Sequence, residues 1–233
     1  MRTKPTLAVA AALLALTALT GCDGDAGSKT ASTAPPEKRQ RPDDGGQRPD
    51  DGRGEREDAG GGGSLSGLPH AGTLRGVETY LGKTQLPCYD MSSEETDDRL
   101  PADGFVDRVP EDASPAEKRQ AAAWSIEEKG VCGEDWTNSY MVYMTKDMAA
   151  FQRRYKAYVM DNARSSDSSS LTSGRFLVGA DFAVDPVGKI RDSGLLSTEL
   201  LLLNCDPDLK VPSGYTKRPS LVKGCVLTDY VAT

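Results

Sequence analysis

Acid–base chemistry in this chain would have to come from carboxylates. The sequence has 35 Asp and Glu residues but one histidine, His70, which stands beside Pro69. A Ser–His–Asp or Cys–His site needs a histidine as its base, and we expect His70 to lie in an exposed linker. A carboxylate pair of the kind that hydrolyses glycosides could be assembled from Asp181, Asp185, Glu134 or Asp135. Because the sequence does not select a pair, we predict no catalytic residue.

Metal and phosphate sites are not indicated by the spacing of the remaining polar residues. The acidic stretch 94–98 offers oxygen ligands to Ca²⁺, but it lacks the alternating ligands and the glycine of an EF-hand loop. None of the cysteines forms the Cys-x-x-Cys pairs typical of a zinc site. The glycine run 60–63 is not followed by the Lys-Ser/Thr of a phosphate loop. We therefore predict no metal and no cofactor.

Aromatic side chains provide a candidate binding surface. Such rings stack on sugars, and the same rings serve equally well in a core. The residues that could line a sugar or peptidoglycan groove are Trp136, Tyr140, Tyr143 and Tyr215.

The first 21 residues have the pattern of a secretory signal peptide. Arg2 and Lys4 precede an uncharged Ala/Leu-rich stretch at 6–19, and such segments are removed from the mature protein. Small residues and a cysteine follow directly, in the motif Leu19-Thr20-Gly21-Cys22. This motif resembles the lipobox of bacterial lipoproteins. The resemblance covers only the first 22 residues.

The resemblance implies that Cys22 carries a diacylglycerol group, that cleavage falls between Gly21 and Cys22, and that the new amino terminus is acylated, for example with palmitate. Each buried CH₂ of an acyl chain contributes about 0.8 kcal/mol to membrane binding, so two chains anchor a protein durably. We therefore expect a protein anchored in the lipid bilayer, on the outer face of the bacterial cytoplasmic membrane. An uncleaved membrane helix, or ordinary cleavage near Cys22, are the alternatives.

Residues 22–64 are predicted to be a disordered tether behind the lipidated cysteine. From Asp23 to Ser64 the chain has 10 Gly and 4 Pro but none of the large apolar or aromatic residues, so it cannot bury a core. A seven-residue unit beginning Arg-Pro-Asp-Asp-Gly occurs twice in tandem, at 41–47 and 48–54. A flexible coil of this length spans about 35 Å, which would lift the following domain off the membrane.

Four cysteines remain for the folded part, residues 65–233. An even number in an exported domain predicts two disulfides. Three pairings are possible, and proximity along the chain favours Cys88 with Cys132 and Cys205 with Cys225. The loops they close would contribute about 3–4 kcal/mol each.

Residues 65–233 are predicted to form one α+β domain, with a small, mainly antiparallel sheet and two to three helices on one face of it. The predicted helices cover 73–81, 114–130 after a Ser114 capping box, and 146–160 after an N-cap at Thr145. The predicted strands are 140–144, 176–178, 182–184, 200–203 and 221–227. An α/β parallel sheet is the alternative. A Ser-rich loop is expected at 162–174.

Composition narrows the function classes further. The net charge is −7, with a pI of about 4.9, which disfavours a nucleic-acid binder. The sequence therefore favours a non-enzymatic binding or interaction module at the cell envelope, whose partner would be a wall polymer or an envelope protein. A wall-acting enzyme with paired carboxylates and a small-solute-binding lipoprotein remain alternatives.

Overall fold

The computed structural model describes residues 63–162 and 174–232. The signal peptide, Cys22, nearly all of the tether and most of the predicted Ser-rich loop therefore lie outside the described residues. The predicted α+β class is confirmed in the described part of the chain. Its helices are α1 (Leu74–Lys83), α2 (Pro115–Ala122) and α3 (Met148–Asn162).

The strands of the described residues form one antiparallel sheet in the order β1-β2-β4-β3-β5-β7-β6. This arrangement rules out the parallel α/β alternative for the described part. The strands are β1 (Ile126–Gly133), β2 (Ser139–Thr145), β3 (Leu177–Val178), β4 (Phe182–Pro186), β5 (Leu201–Asn204), β6 (Lys217–Pro219) and β7 (Val226–Thr228).

The central strands are buried on both faces of the sheet. Along β2, Met141 and Tyr143 belong to one apolar cluster, whereas Val142 belongs to another. This alternation follows from the two-residue period of a strand, which points successive side chains to opposite faces. It explains why strand β5 reads as a continuous run of leucines.

Helices α1 and α3 pack on opposite faces of the sheet, so the prediction that all helices share one face is wrong. Val77 and Leu81 of α1 join the cluster that contains Val142. Phe151 and Tyr155 of α3 join the cluster that contains Tyr143. A sheet with two apolar faces needs a cover on each side, and the two amphipathic helices provide the covers.

The second predicted helix is too long. Its capping box is present as predicted, because the Ser114 hydroxyl accepts from the Glu117 amide and the Glu117 carboxylate accepts from the Ser114 amide. The helix ends at Ala122, however, and Ser125 has a φ of +55°. The chain then turns into β1, which pairs with β2, so predicted helical residues up to Gly130 lie in a strand.

Other boundaries also differ from prediction. The N-cap of α3 is Asp147 and not Thr145, because Asp147 Oδ1 accepts from the Ala150 amide at 3.0 Å. The predicted strand at 221–227 is only partly correct, since β7 begins at Val226. Strand β6 was not predicted, because its sequence Lys-Arg-Pro has no apolar pattern.

Two disulfides crosslink the fold, and their pairing is the one favoured by proximity along the chain. Cys88 is bonded to Cys132, and Cys205 to Cys225, with Cα–Cα distances of 4.9 and 4.1 Å. The first bond ties the segment after α1 to strand β1, and the second ties β5 to the turn before β7. Among the described residues, no helix combines the length and apolar composition needed to cross a membrane.

Candidate functional site

The four aromatic residues proposed for a sugar groove do not lie on one surface. Tyr140 and Tyr143 are buried in the two opposite clusters of the core, whereas Trp136 and Tyr215 are exposed. The Tyr143 hydroxyl accepts from the Val106 amide at 3.1 Å, and burial raises the pKa of Tyr143. The two buried tyrosines are therefore structural, and the predicted four-residue groove is not formed.

Trp136 projects from the turn between β1 and β2, where 65% of its surface is exposed. Asp135 closes this turn, because its Oδ1 accepts from the Thr137 amide at 2.7 Å and from the Asn138 amide at 3.0 Å. The Glu134 amide also donates to the Asn138 carbonyl at 3.2 Å. The tryptophan is thus displayed on a hydrogen-bonded turn.

Tyr89 is a second exposed aromatic residue, and it is fixed at the base of the same turn. It follows Cys88, whose disulfide partner Cys132 lies next to Gly133. The Gly133 amide donates to the Tyr89 carbonyl at 3.3 Å, and Arg99 donates to the Gly133 carbonyl at 3.3 Å. A covalent bond and hydrogen bonds therefore hold Tyr89 beside the turn.

Carboxylates lie near the Tyr89 side chain. Partial desolvation, a side-chain hydrogen bond with Glu134 and the charges of Glu134, Asp90 and Asp135 raise the pKa of Tyr89. The nearby Arg99 guanidinium is already paired with Asp97 at 2.8 Å. We call this surface the Trp136 platform and define it as Tyr89, Asp90, Glu134, Asp135 and Trp136.

A groove of about 540 Å³ runs beside the Trp136 platform. Glu134, Thr137 and Tyr140 line it on the platform side, and Lys189 and Asp192 line it on the other. The Tyr140 hydroxyl is occupied, because it donates to the Ser193 carbonyl at 2.8 Å. The platform thus borders a recess that could receive a chain segment of a partner.

The four carboxylates considered for catalysis lie in three different places. Glu134 and Asp135 belong to the Trp136 platform. Asp181 has a structural role, since its carboxylate accepts from the amides of Ala71 and Gly72 at 3.0 and 2.7 Å. None of these arrangements is a catalytic pair.

His70 is exposed as expected, but it is not part of a free linker. Its Nδ1 lies 3.1 Å from an Asp181 carboxylate oxygen. The same carboxylate accepts hydrogen bonds from the amides of the next two residues, Ala71 and Gly72. The carboxylate therefore holds residues 70–72 against the sheet ahead of α1.

Asp185 is the fourth carboxylate, and it is buried in an ion pair. Arg175 Nε donates to Asp185 Oδ2 at 2.6 Å. Burial raises the pKa of Asp185 to about 6, against the opposing effect of Arg175. A cleft of about 350 Å³ opens beside the pair and is also lined by Asp103 and Tyr158. Sequence reasoning missed Arg175 and Asp103. Arg175 reaches Asp185 because β3 pairs with β4, and Asp103 comes to the cleft from the loop before α2.

The acidic stretch 94–98 is used in ion pairs. Lys129 Nζ lies 2.9 Å from Glu95, and Arg99 pairs with Asp97, which lowers the pKa of both carboxyl groups. Among the described residues, no group of His, Cys, Asp and Glu side chains is arranged to hold a metal ion.

Comparison with known proteins finds no match for this chain among protein-family models, curated proteins or solved structures.

Proposed function

We propose that this chain is a membrane-anchored extracytoplasmic lipoprotein whose folded domain is a non-enzymatic interaction module, and that it binds an envelope protein through the Trp136 platform. The observation that carries the proposal is the exposure of Trp136 on a turn held by Asp135 and braced by the Cys88–Cys132 disulfide.

Exposed aromatic residues on a rigid support suit protein binding for two physical reasons. Trp and Tyr are enriched among the residues that contribute most to protein interfaces, because they bury a large area with few rotatable bonds. A surface that is already ordered also loses less conformational entropy when it binds. Trp136 and Tyr89 meet both conditions.

The charge of the Trp136 platform indicates the chemistry of its partner. Asp90, Glu134 and Asp135 act on the Tyr89 side chain, and Trp136 follows Asp135 in the chain. The nearby Arg99 is paired with Asp97. A Lys or Arg side chain of the partner would gain from these carboxylates and from the face of the Trp136 ring. We therefore expect the contacting segment of the envelope protein to be basic.

The anchor completes the proposal. The resemblance of residues 19–22 to a lipobox supports lipidation of Cys22, and the tether would give the domain a reach of about 35 Å above the bilayer. These features suit a module that meets its partner at the outer face of the cytoplasmic membrane. A wall polymer is the less favoured partner, because the aromatic groove expected for it is not formed.

The enzyme alternative has one observation in its favour. Asp103 and Asp185 line the same cleft, and the pKa of Asp185 is raised to about 6. The Asp185 carboxylate, however, is engaged by Arg175 at 2.6 Å, which favours its ionised form over the protonated acid that glycoside hydrolysis requires. We therefore rank catalysis below binding.

Affinity capture from membranes tests the proposal. The lipidated wild-type chain is compared with Trp136→Ala, and Tyr215→Ala serves as the control because Tyr215 is an exposed aromatic outside the platform. We expect an envelope protein to be recovered with the wild type and the control and to be reduced at least tenfold with Trp136→Ala. Equal recovery with all three chains would refute the role of the platform.

A further inference from the structure

The cleft beside Arg175 and Asp185 is a second feature that binding through the Trp136 platform leaves unexplained. It lies between α3 and the loop before α2, and its polar lining comes from Asp103, Tyr158, Arg175 and Asp185. Residues 186–188 separate it from the groove beside the Trp136 platform, because they line both recesses.

Stability alone does not account for the ion pair in this cleft. The Asp185 side chain is only 6% exposed and that of Arg175 29%. Taking two charges out of water costs about as much as their attraction returns, so apolar residues of similar size commonly serve a core equally well. A gain in stability is therefore a weak reason for the pair, which makes the cleft beside it a candidate binding site.

Within residues 63–162 and 174–232, the pair uses only part of its hydrogen-bonding capacity. A guanidinium has five N–H donors, and among the described residues that of Arg175 donates only through Nε, to Asp185 Oδ2. Arg175, Asp103 and Asp185 all line the cleft, so carboxylate acceptors accompany the guanidinium there. Met141 and the Tyr158 ring supply apolar surface.

We propose that this cleft binds a neutral, polyhydroxylated ligand of the size of a mono- or disaccharide. Adjacent hydroxyl groups both donate and accept hydrogen bonds. They can therefore accept from the Arg175 guanidinium and donate to the two carboxylates at the same time. An anion would be repelled by Asp103 and Asp185. An ammonium group can only donate, so it would leave the remaining donors of Arg175 without an acceptor. The volume of about 350 Å³ lies at the lower end of the range of small-molecule sites, about 300–1,000 Å³.

Isothermal titration of the full chain in detergent micelles tests this proposal. The probes are cellobiose and diacetylchitobiose, which are neutral, with glucuronate and glucosamine as charged comparisons. We expect saturable binding of at least one neutral disaccharide with a Kd below about 10 mM, a limit that corresponds to weak but specific binding, and weaker binding of both charged sugars.

Three variants test whether disaccharide binding depends on residues of the cleft. Arg175→Lys keeps the positive charge but loses the planar fork of donors, and we expect at least tenfold weaker binding. Asp103→Ala removes an exposed acceptor without disturbing the core and should weaken binding at least threefold. Asp112→Ala, an exposed carboxylate outside the cleft, is the matched control and should bind as the wild type does.

The outcomes decide the matter in either direction. Absence of binding by both neutral disaccharides, or tighter binding of glucuronate or glucosamine, would overturn the proposal. Equal affinity of Asp103→Ala and the wild type, with both chains folded by circular dichroism, would overturn it as well. The result is independent of the Trp136 platform, since Trp136→Ala should bind the disaccharide unchanged.

Discussion

The two tryptophan residues of this chain have opposite environments. Trp124 is 3% exposed. The centroid of its ring lies 5.4 Å from the ring centroid of Phe151 and 6.0 Å from that of Phe176. Trp136 makes no comparable ring contact within the described residues and projects into solvent. Burial stabilises a fold only where water is excluded, so the two residues should contribute very differently to stability.

Replacing each tryptophan by alanine should therefore separate stability from binding. We expect Trp124→Ala to lower the free energy of unfolding by about 3–5 kcal/mol, the usual cost of removing a large core ring. Trp136→Ala should change it by no more than about 0.5 kcal/mol. Urea unfolding followed by circular dichroism measures both. A large loss with Trp136→Ala would mean that the platform ring is structural.

Asp185 should leave a signature in the pH dependence of stability. Its pKa is about 6 in the folded protein and 3.8 in a model peptide, so the folded state binds its proton more tightly. Protonation of Asp185 therefore stabilises the folded state relative to the unfolded one. This contribution is complete below about pH 4 and is lost as the pH rises to about 6. The shift corresponds to about 3 kcal/mol.

The measurement is urea unfolding between pH 3.5 and 7, with Asp185→Asn as the reference chain. The difference in unfolding free energy, wild type minus Asp185→Asn, should fall as the pH rises from 4 to 6. A flat difference would mean that Arg175 holds the pKa of Asp185 near its ordinary value.

Residue identities alone predicted part of the candidate site. Residue type makes four aromatic side chains equally compatible with a binding groove and with a core: Trp136, Tyr140, Tyr143 and Tyr215. The structure exposes Trp136 and Tyr215 and buries the other two. Tyr89 had no recognisable signal, because its exposure depends on the disulfide that begins at Cys88. A residue type shows what a side chain can do, and only the fold shows which surface it reaches.

At the scale of elements, local signals located the starts of α1 and α2, although the N-cap predicted for α3 at Thr145 lies at Asp147. The Ser114 capping box and the Thr73 N-cap act within one helical turn, and both helices begin where predicted. The end of α2 depends on the pairing of β1 with β2. That pairing includes the register of Val131 with Met141, which no local pattern in residues 114–130 specifies.

The two disulfides should affect different properties. In the chain-entropy model, removing the Cys88–Cys132 disulfide, which spans 44 residues, costs about 4 kcal/mol of stability. Removing the Cys205–Cys225 disulfide, which spans 20 residues, costs about 3 kcal/mol. Only Cys88–Cys132 braces the Trp136 platform. We therefore expect Cys88→Ser with Cys132→Ser to weaken partner binding beyond its effect on stability.

The matched control is the double variant Cys205→Ser with Cys225→Ser. It should lower the midpoint of urea unfolding by a similar amount and leave partner affinity unchanged under conditions where both variants are folded. Equal losses of affinity would show that binding responds to global stability and not to the brace at Tyr89.

At the scale of the whole molecule, the order of the predicted helices and strands indicated the mainly antiparallel α+β class but not the arrangement of layers. The apolar positions of α1 and α3 mark amphipathic helices without showing which face of the sheet each covers. Successive side chains of β2 and β5 point to opposite faces of the sheet. This alternation shows which helix covers which face only when the register of the strands is known. Burial on both faces is consistent with the continuous apolar run at 200–203.

Lipidation of Cys22 is the prediction that belongs to the whole molecule. Cys22→Ser should move the exported chain from the membrane fraction to the medium, because the acyl chains provide its membrane affinity. Mass spectrometry of the wild type should show diacylglycerol on Cys22. Retention of Cys22→Ser in the membrane fraction would indicate an uncleaved helix instead.

The most direct test of the proposed interaction module is photocrosslinking in intact cells that express the full chain. An aromatic photoreactive amino acid, which keeps a large ring at the substituted position, replaces Trp136 in one chain and Tyr215 in the other, so that two exposed aromatic positions are compared at equal expression. We predict that position 136 forms a discrete crosslink to one envelope protein and that position 215 does not. Crosslinks of equal yield from both positions, or none from position 136, would contradict the account.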